Sequence, residues 1–181
     1  MRSGAAAGVD RLEVPVALSK LRPRDGVDIL AGMDSFNVTV SVEVTFRDLD
    51  AMGHTNNAVY LTWFECGRIG YWKAMRGSDA DYVKVPFVLA RTEVDFLAPT
   101  FVGQRLTVGA RVSRLGERSF NMAYRITRES DDVVVAKGTS VQVMYDYEAR
   151  RSMPMPDEFR RTLVRIDGET LLAPGPSGDS D

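Results

Sequence analysis

The sequence predicts an α+β fold in which one antiparallel sheet of about five strands wraps around a long central helix. Three observations carry that expectation. Val38, Val40, Val42, Val44 and Phe46 alternate with Thr39, Ser41, Glu43, Thr45 and Arg47, the two-residue period of a half-buried strand. From about Asn57 to Arg76 the apolar residues recur at helical spacing instead. Four further strand-like runs follow, joined by short connections rich in turn residues, which favours antiparallel pairing.

In the first run, a continued alternation sets Asp48 and Asp50 on the valine side, so that the buried face ends in acid. The other reading stops the strand near Arg47 and lets both aspartates begin a turn, and periodicity alone leans to the turn. In the helix, Val59, Tyr60, Trp63, Phe64, Gly67, Gly70, Tyr71, Ala74 and Met75 share one broad arc, opposite Thr62, Glu65, Arg68, Lys73 and Arg76, while Leu61, Ile69 and Trp72 intrude on the polar side. So wide an arc predicts cover around most of the helix. Interior glycines each cost about 1 kcal/mol of helix propensity. Gly67 and Gly70 in mid-arc therefore predict a close approach to the sheet. The later strands are expected over 86–99, 104–115, 118–129 and 133–146, with turns at Pro99 to Gly103, Gly116-Glu117 and Ser130 to Asp132, and a last short helix over Pro156 to Arg165. Residues 1–35, with Pro15 and Pro23 and no clean period, read as an N-terminal arm. Residues 36–166 read as the folded domain, and 167–181, ending APGPSGDSD, as a disordered tail.

At 181 residues, with 44% hydrophobic and 27% charged side chains, the chain is one ordinary soluble domain. No stretch approaches the roughly 18 apolar residues of a membrane span. Asp10, Arg11 and Glu13 interrupt any export signal, so a cytoplasmic protein is expected. Cys66 is the only cysteine and His54 the only histidine, which excludes an internal disulfide and a four-ligand zinc site; no metal and no cofactor is expected. With 23 basic against 25 acidic residues, and no basic block, the charge pattern speaks against nucleic acid as a partner.

Chemistry concentrates in FRDLDAMGHTNNAVYL, residues 46–61. Asn56 or Asn57 suits a helix N-cap, and the first N–H groups of a helix lack intrahelical partners and welcome an anion. An oxyanion forming on a carbonyl would be stabilised there, by a donor whose loss typically costs about 10²- to 10³-fold in rate. Gly53 lets the chain turn back so that Asp48 or Asp50 faces the same point. A carboxylate beside an oxyanion-binding helix start is a hydrolase arrangement, although the same residue types also make ordinary loops.

The stretch D-x-D-x-x-G-H-x-N-N-A-x-Y-L at 48–61, followed by W-F-E-C-G-R, resembles the hotdog-fold acyl-CoA thioesterases of the 4-hydroxybenzoyl-CoA thioesterase-like family, over about residues 36–147. VDFLAPTFVGQRLTV is similar to that family's second and third strands. The resemblance implies that Asp50 is the catalytic carboxylate, as nucleophile or general base, and that the Asn57 backbone N–H is the oxyanion donor. Gly53, His54, Asn56 and Tyr60 would belong to the substrate site, with His54 shaping the loop and Tyr60 also in the core. Asp48 reads as a turn residue, and Glu65 as a surface residue paired with Arg68. Arg118 and Ser119 match a basic-Ser pair near the CoA phosphates. Gly116 and Glu117 occupy two positions of the family's basic cluster, which leaves an acyl carrier protein thioester open beside acyl-CoA. Two other readings share the fold, a hydratase or dehydratase using Asp50 and His54 and a non-catalytic acyl-CoA binder. The family's active site lies between subunits, so a homodimer or a tetramer of dimers is expected.

Overall fold

The computed structural model describes residues 36–76, 85–168 and 171. The expected arm at 1–35, and the tail other than Asp167, Gly168 and Leu171, lie outside the described residues. In chain order the elements are β1 (Val38–Glu43), α1 (Asn57–Arg76), β2 (Phe87–Phe96), β3 (Arg105–Leu115), β4 (Ser119–Arg128), β5 (Val134–Asp146), β6 (Arg151–Ser152) and α2 (Asp157–Asp167). The sheet runs β1-β3-β4-β5-β2 with every neighbour antiparallel, and the two residues of β6 pair with the end of β5.

The strand β1 keeps the expected alternation but ends earlier than the valine pattern suggests. Val44 is still fully buried, and its backbone is bonded to Gln104 and Gly103, yet Phe46 is 84% exposed in a single 3-10 turn, Phe46–Asp48. The cause is local: Asp48 Oδ2 accepts hydrogen bonds from the Thr45 N–H (2.7 Å) and hydroxyl (2.6 Å), which offers the backbone an alternative to the ladder. Asp48 is thus a turn residue, and the acid-ended strand face does not form.

Helix α1 lies across the sheet with Tyr60, Trp63, Phe64, Gly67 and Tyr71 buried, as its arc implies. A Cβ on Gly70 would stand 2.5 Å from Val40 Cγ2, and one on Gly67 would stand 3.2 Å from Ala110 Cβ, so both glycines mark close approach to β1 and β3. Two positions differ from the expected arc. Trp72 is buried, because Phe87 of β2 (ring centroids 5.7 Å) and Phe159 of α2 (6.4 Å) extend the apolar cover around the helix. Ala74 is exposed although it lies in the arc, and Leu61 (45%) and Ile69 (38%) are exposed on the other side of the helix. At mid-helix Phe64 stacks on Tyr124 of β4 (4.4 Å, 14°), and the end of its ring comes down on Gly138 of β5.

The end of α2 is tied to both layers. Asp167 Oδ2 accepts the Tyr71 hydroxyl from α1 (2.5 Å) and the Val112 N–H from β3 (2.8 Å), and Gly168, at φ 92°, then turns the chain away. Burial holds the Asp167 carboxyl above the ordinary carboxylate range, against the opposing pull of these hydrogen bonds, and burial likewise pushes the Tyr71 phenol up.

Two measurements check this packing. In Gly138→Ala the new methyl overlaps the Phe64 ring and the Glu93 carbonyl, so urea denaturation is expected to show a loss of about 2–3 kcal/mol. For Asp167 the folded pKa lies above the unfolded one, so the stability it contributes is complete below the unfolded value and is lost as pH rises through the folded value. Denaturation across that range is expected to show Asp167→Asn gaining on the wild type as pH rises from about 4; a constant difference refutes it.

Candidate active site

The loop between β1 and α1 is pinned at both ends. Leu49 bridges Thr55, the Asp50 N–H donates to the His54 carbonyl (2.8 Å), and the Asn56 N–H donates to the Asp48 carbonyl (2.8 Å). Between these ties the chain reverses at Gly53, whose φ of 77° is open to glycine at little cost and whose N–H bonds the Asp50 carbonyl (3.1 Å). The half-buried Asp50 side chain curls over its own loop: Oδ1 accepts the N–H groups of Met52 (2.8 Å) and His54 (3.4 Å). Among the described residues Oδ2 has no donor, so one carboxylate oxygen is oriented but unused.

A chain of buried hydroxyls holds this loop to the connection between β2 and β3. The Thr55 N–H donates to the Thr100 carbonyl (3.0 Å), Thr100 Oγ1 donates to Thr55 Oγ1 (2.7 Å), and Thr55 Oγ1 donates back to the Thr100 carbonyl (3.3 Å). With the Thr100 proton so engaged, the Tyr60 hydroxyl donates to Thr100 Oγ1 (3.1 Å). Burial raises the Tyr60 phenol above its ordinary value, so it stays a neutral donor. Its ring packs edge-on against Trp63 and Phe96. Tyr60 therefore sits in the core beside the loop, with its hydroxyl committed. Sequence reasoning missed Thr55 and Thr100, since a threonine in a connection carries no mark that distinguishes it from any other polar loop residue.

Asn56 is the N-cap of α1. Its side-chain oxygen accepts the Ala58 N–H (2.9 Å) and its carbonyl accepts the Val59 N–H (2.9 Å). The intervening Asn57 N–H has no acceptor among the described residues, and it lies at the positive end of the helix dipole. His54 shapes the loop through its main chain and sets its ring edge-on to Phe101 (5.3 Å, 71°). Met52 (76% exposed), Phe101 and Val102 give the loop an apolar rim.

The structure thus brings Asp50, Gly53, His54, Asn56, Asn57 and Tyr60 together and leaves Arg118 and Ser119 elsewhere in the chain. The loop adjoins the start of β3, where Val44 pairs with Gln104, whereas Arg118 and Ser119 sit in the hairpin after its last residue. The eleven residues of β3 separate them by roughly 30 Å. There Arg118 donates to the Ser152 carbonyl (3.2 Å) and faces Glu117 (3.8 Å). The expected Glu65–Arg68 pair is absent among the described residues, and the Arg68 guanidinium instead lies near enough to the Tyr124 phenol to oppose the upward push of burial on it. No three His, Cys, Asp or Glu side chains among the described residues are grouped to hold a metal.

Residues 44–163 match the thioesterase-like superfamily. A thioesterase from Thermus thermophilus, solved with coenzyme A and zinc, is 37% identical with a TM-score of 0.67, over 75% of this chain and 97% of that one. A 1,4-dihydroxy-2-naphthoyl-CoA hydrolase of Nostoc punctiforme is 35% identical over 79 residues, which span 44% of this chain and about half (52%) of that protein. A 1,4-dihydroxy-2-naphthoyl-CoA thioesterase from Synechocystis, 20% identical over 72% of this chain and 97% of that one, shares the fold at a TM-score of 0.64. With a carboxylate and a vacant helix-start N–H on one pinned loop, and a family match across most of the described domain, the chain belongs to the thioesterase-like superfamily and has the hotdog fold.

Proposed function

We propose that this thioesterase hydrolyses acyl-CoA thioesters at the 50–57 loop. The observation that carries the reading is the coexistence, on one rigid turn, of a carboxylate with an unused oxygen and an N–H with no acceptor. A thioester carbonyl oxygen accepting the Asn57 N–H would gain stabilisation as negative charge develops on it. Asp50 then attacks the carbonyl carbon, or takes a proton from a water that does. The carbon–sulfur bond breaks, the thiolate departs, and water is the final acyl acceptor. Thiolate is a good leaving group and needs little help from a general acid, which suits a loop whose other groups are amides and hydroxyls. The relatives named for CoA thioesters favour CoA over an acyl carrier protein as the thiol carrier. We place the reaction in the cytoplasm, where CoA esters are made; among the described residues no helix is long and apolar enough to cross a membrane.

We further infer that the working unit contains two copies. Among the described residues the ten-residue strand β2 ends the sheet, and Leu89, Phe96 and Leu97 on or beside it are exposed, as are Leu61 and Ile69 on the flank of α1. An unpaired apolar edge of that length invites a second copy. Pairing would also offer a role to Arg118 and Ser119, which are too far from Asp50 in their own chain to share one CoA with it but are available to the partner's site.

Thiol release from aryl-, short- and long-chain acyl-CoAs tests the chemistry. The wild type is expected to turn over some member, and Asp50→Asn to lose at least about 10²-fold in kcat; an equally active mutant removes Asp50 from the mechanism. Light scattering is expected to give about twice the 20.1 kDa chain mass, or four times for a tetramer of dimers, and a single-chain mass at micromolar protein overturns the paired site.

A further inference from the structure

Along the helix-facing side of β2 and β5, away from the catalytic loop, lies a polar cluster that the proposed mechanism does not use. Ser140 Oγ is its hub. It bonds the Tyr124 hydroxyl (2.6 Å) and accepts from Gln142 Nε2 (2.6 Å). Thr92 is the cross-strand partner of Ser140, so its side chain stands on the same face. That face is the helix side, since Gly138, two residues before Ser140, lies under the Phe64 ring. Arg68 of α1 lies close enough to Tyr124 to act electrostatically on its phenol.

Two atoms in this cluster, Gln142 Oε1 and Thr92 Oγ1, are buried without a hydrogen-bond partner. Gln142 is fully buried, and an unmade hydrogen bond at such a site costs about 1–3 kcal/mol; both residues border Ser140, Gln142 through its hydrogen bond and Thr92 as the cross-strand neighbour. One is an acceptor and the other a hydroxyl that gives and accepts; together they match a ligand hydroxyl, which does the same. The cluster is also within reach of the reacting carbonyl. Phe64, which stacks on Tyr124, follows Asn57 by seven residues, about 10 Å along the helix. Thr92 precedes Phe96, whose ring meets Tyr60 near the helix start, by four residues, about 13 Å along the strand. Thr92 and Arg68 are only half-buried, so the cluster lies at the margin of the core.

We propose that Gln142 and Thr92 form the distal end of the acyl site and recognise a hydroxyl group carried about 10 Å from the thioester carbonyl. The inference rests on the 50–57 loop as the site of hydrolysis and names the class of acyl group it takes, one with a remote neutral hydroxyl. Such a hydroxyl satisfies both vacant atoms, whereas an unsubstituted chain buries them against carbon. A site built around a hydroxyl discriminates against the analogue that lacks it.

The test compares kcat/KM for 8-hydroxyoctanoyl-CoA and octanoyl-CoA with the full chain, in the wild type and in Gln142→Leu, Thr92→Val and Thr92→Ser. The wild type is expected to prefer the hydroxylated substrate by at least about tenfold, Gln142→Leu and Thr92→Val to bring the ratio towards one, and Thr92→Ser to keep it. If Gln142→Leu fails to fold, Thr92→Val, which conserves shape, decides. No preference in the wild type, or an undiminished preference in Thr92→Val, overturns the inference and leaves water as the occupant of the cluster. If the wild type hydrolyses neither substrate nor any other acyl-CoA, the loop reading itself has failed and this inference falls with it.

Discussion

The closeness with which α1 sits on the sheet governs the rest of the molecule. Without Cβ atoms at Gly67 and Gly70 the helix backbone settles against β1 and β3, and Phe64 can stack on Tyr124 with the end of its ring on Gly138. That seat fixes the height and direction of the helix start. The N-terminal end of α1 is thereby aimed at the loop that precedes it, with Tyr60 at the right depth to reach Thr100. Packing at mid-helix and hydrogen bonding at the loop are successive parts of one constraint, because Tyr60 of the helix meets the Thr100 hydroxyl that is itself bonded to Thr55 of the loop.

Much of this was legible in the sequence, and the reasons differ from element to element. The strands read clearly because one face of each is buried and the other is not, so alternation at Val38 to Val44 survives as a pattern. The glycines of α1 were informative because they contradict helix propensity and so demand a packing explanation. The end of β1 was less legible: Val44 and Phe46 continue the period, and only the two hydrogen bonds that Thr45 donates to the Asp48 carboxylate break it. Trp72 could not be placed from helical phase alone, since its cover comes from Phe87 and Phe159, distant in sequence.

At the candidate site, the residues that local spacing could reach were found together, while those that depend on long-range contact were not. Asp50, Gly53, Asn56 and Asn57 lie within eight consecutive positions, and one turn with one helix cap arranges them. Thr100 joins them across 45 positions through buried hydroxyls. Arg118 and Ser119, which the resemblance sets near the CoA phosphates, are separated from the loop of their own chain by the full length of β3, and local spacing carries no information on what a second copy would bring near them. Arg68 illustrates the same limit: a salt bridge along the helix surface is the local expectation, whereas in the fold the guanidinium lies near the buried phenol of Tyr124, 56 positions away.

The anchor of the candidate catalytic loop consists of threonine hydroxyls, a raised phenol and main-chain amides. None of these changes charge between about pH 4 and 9. Acidity therefore has no grip on the join between the loop and the connection from β2 to β3. Its grip on the scaffold is at Asp167, towards the other end of α1, where a buried carboxyl ties the helix to β3.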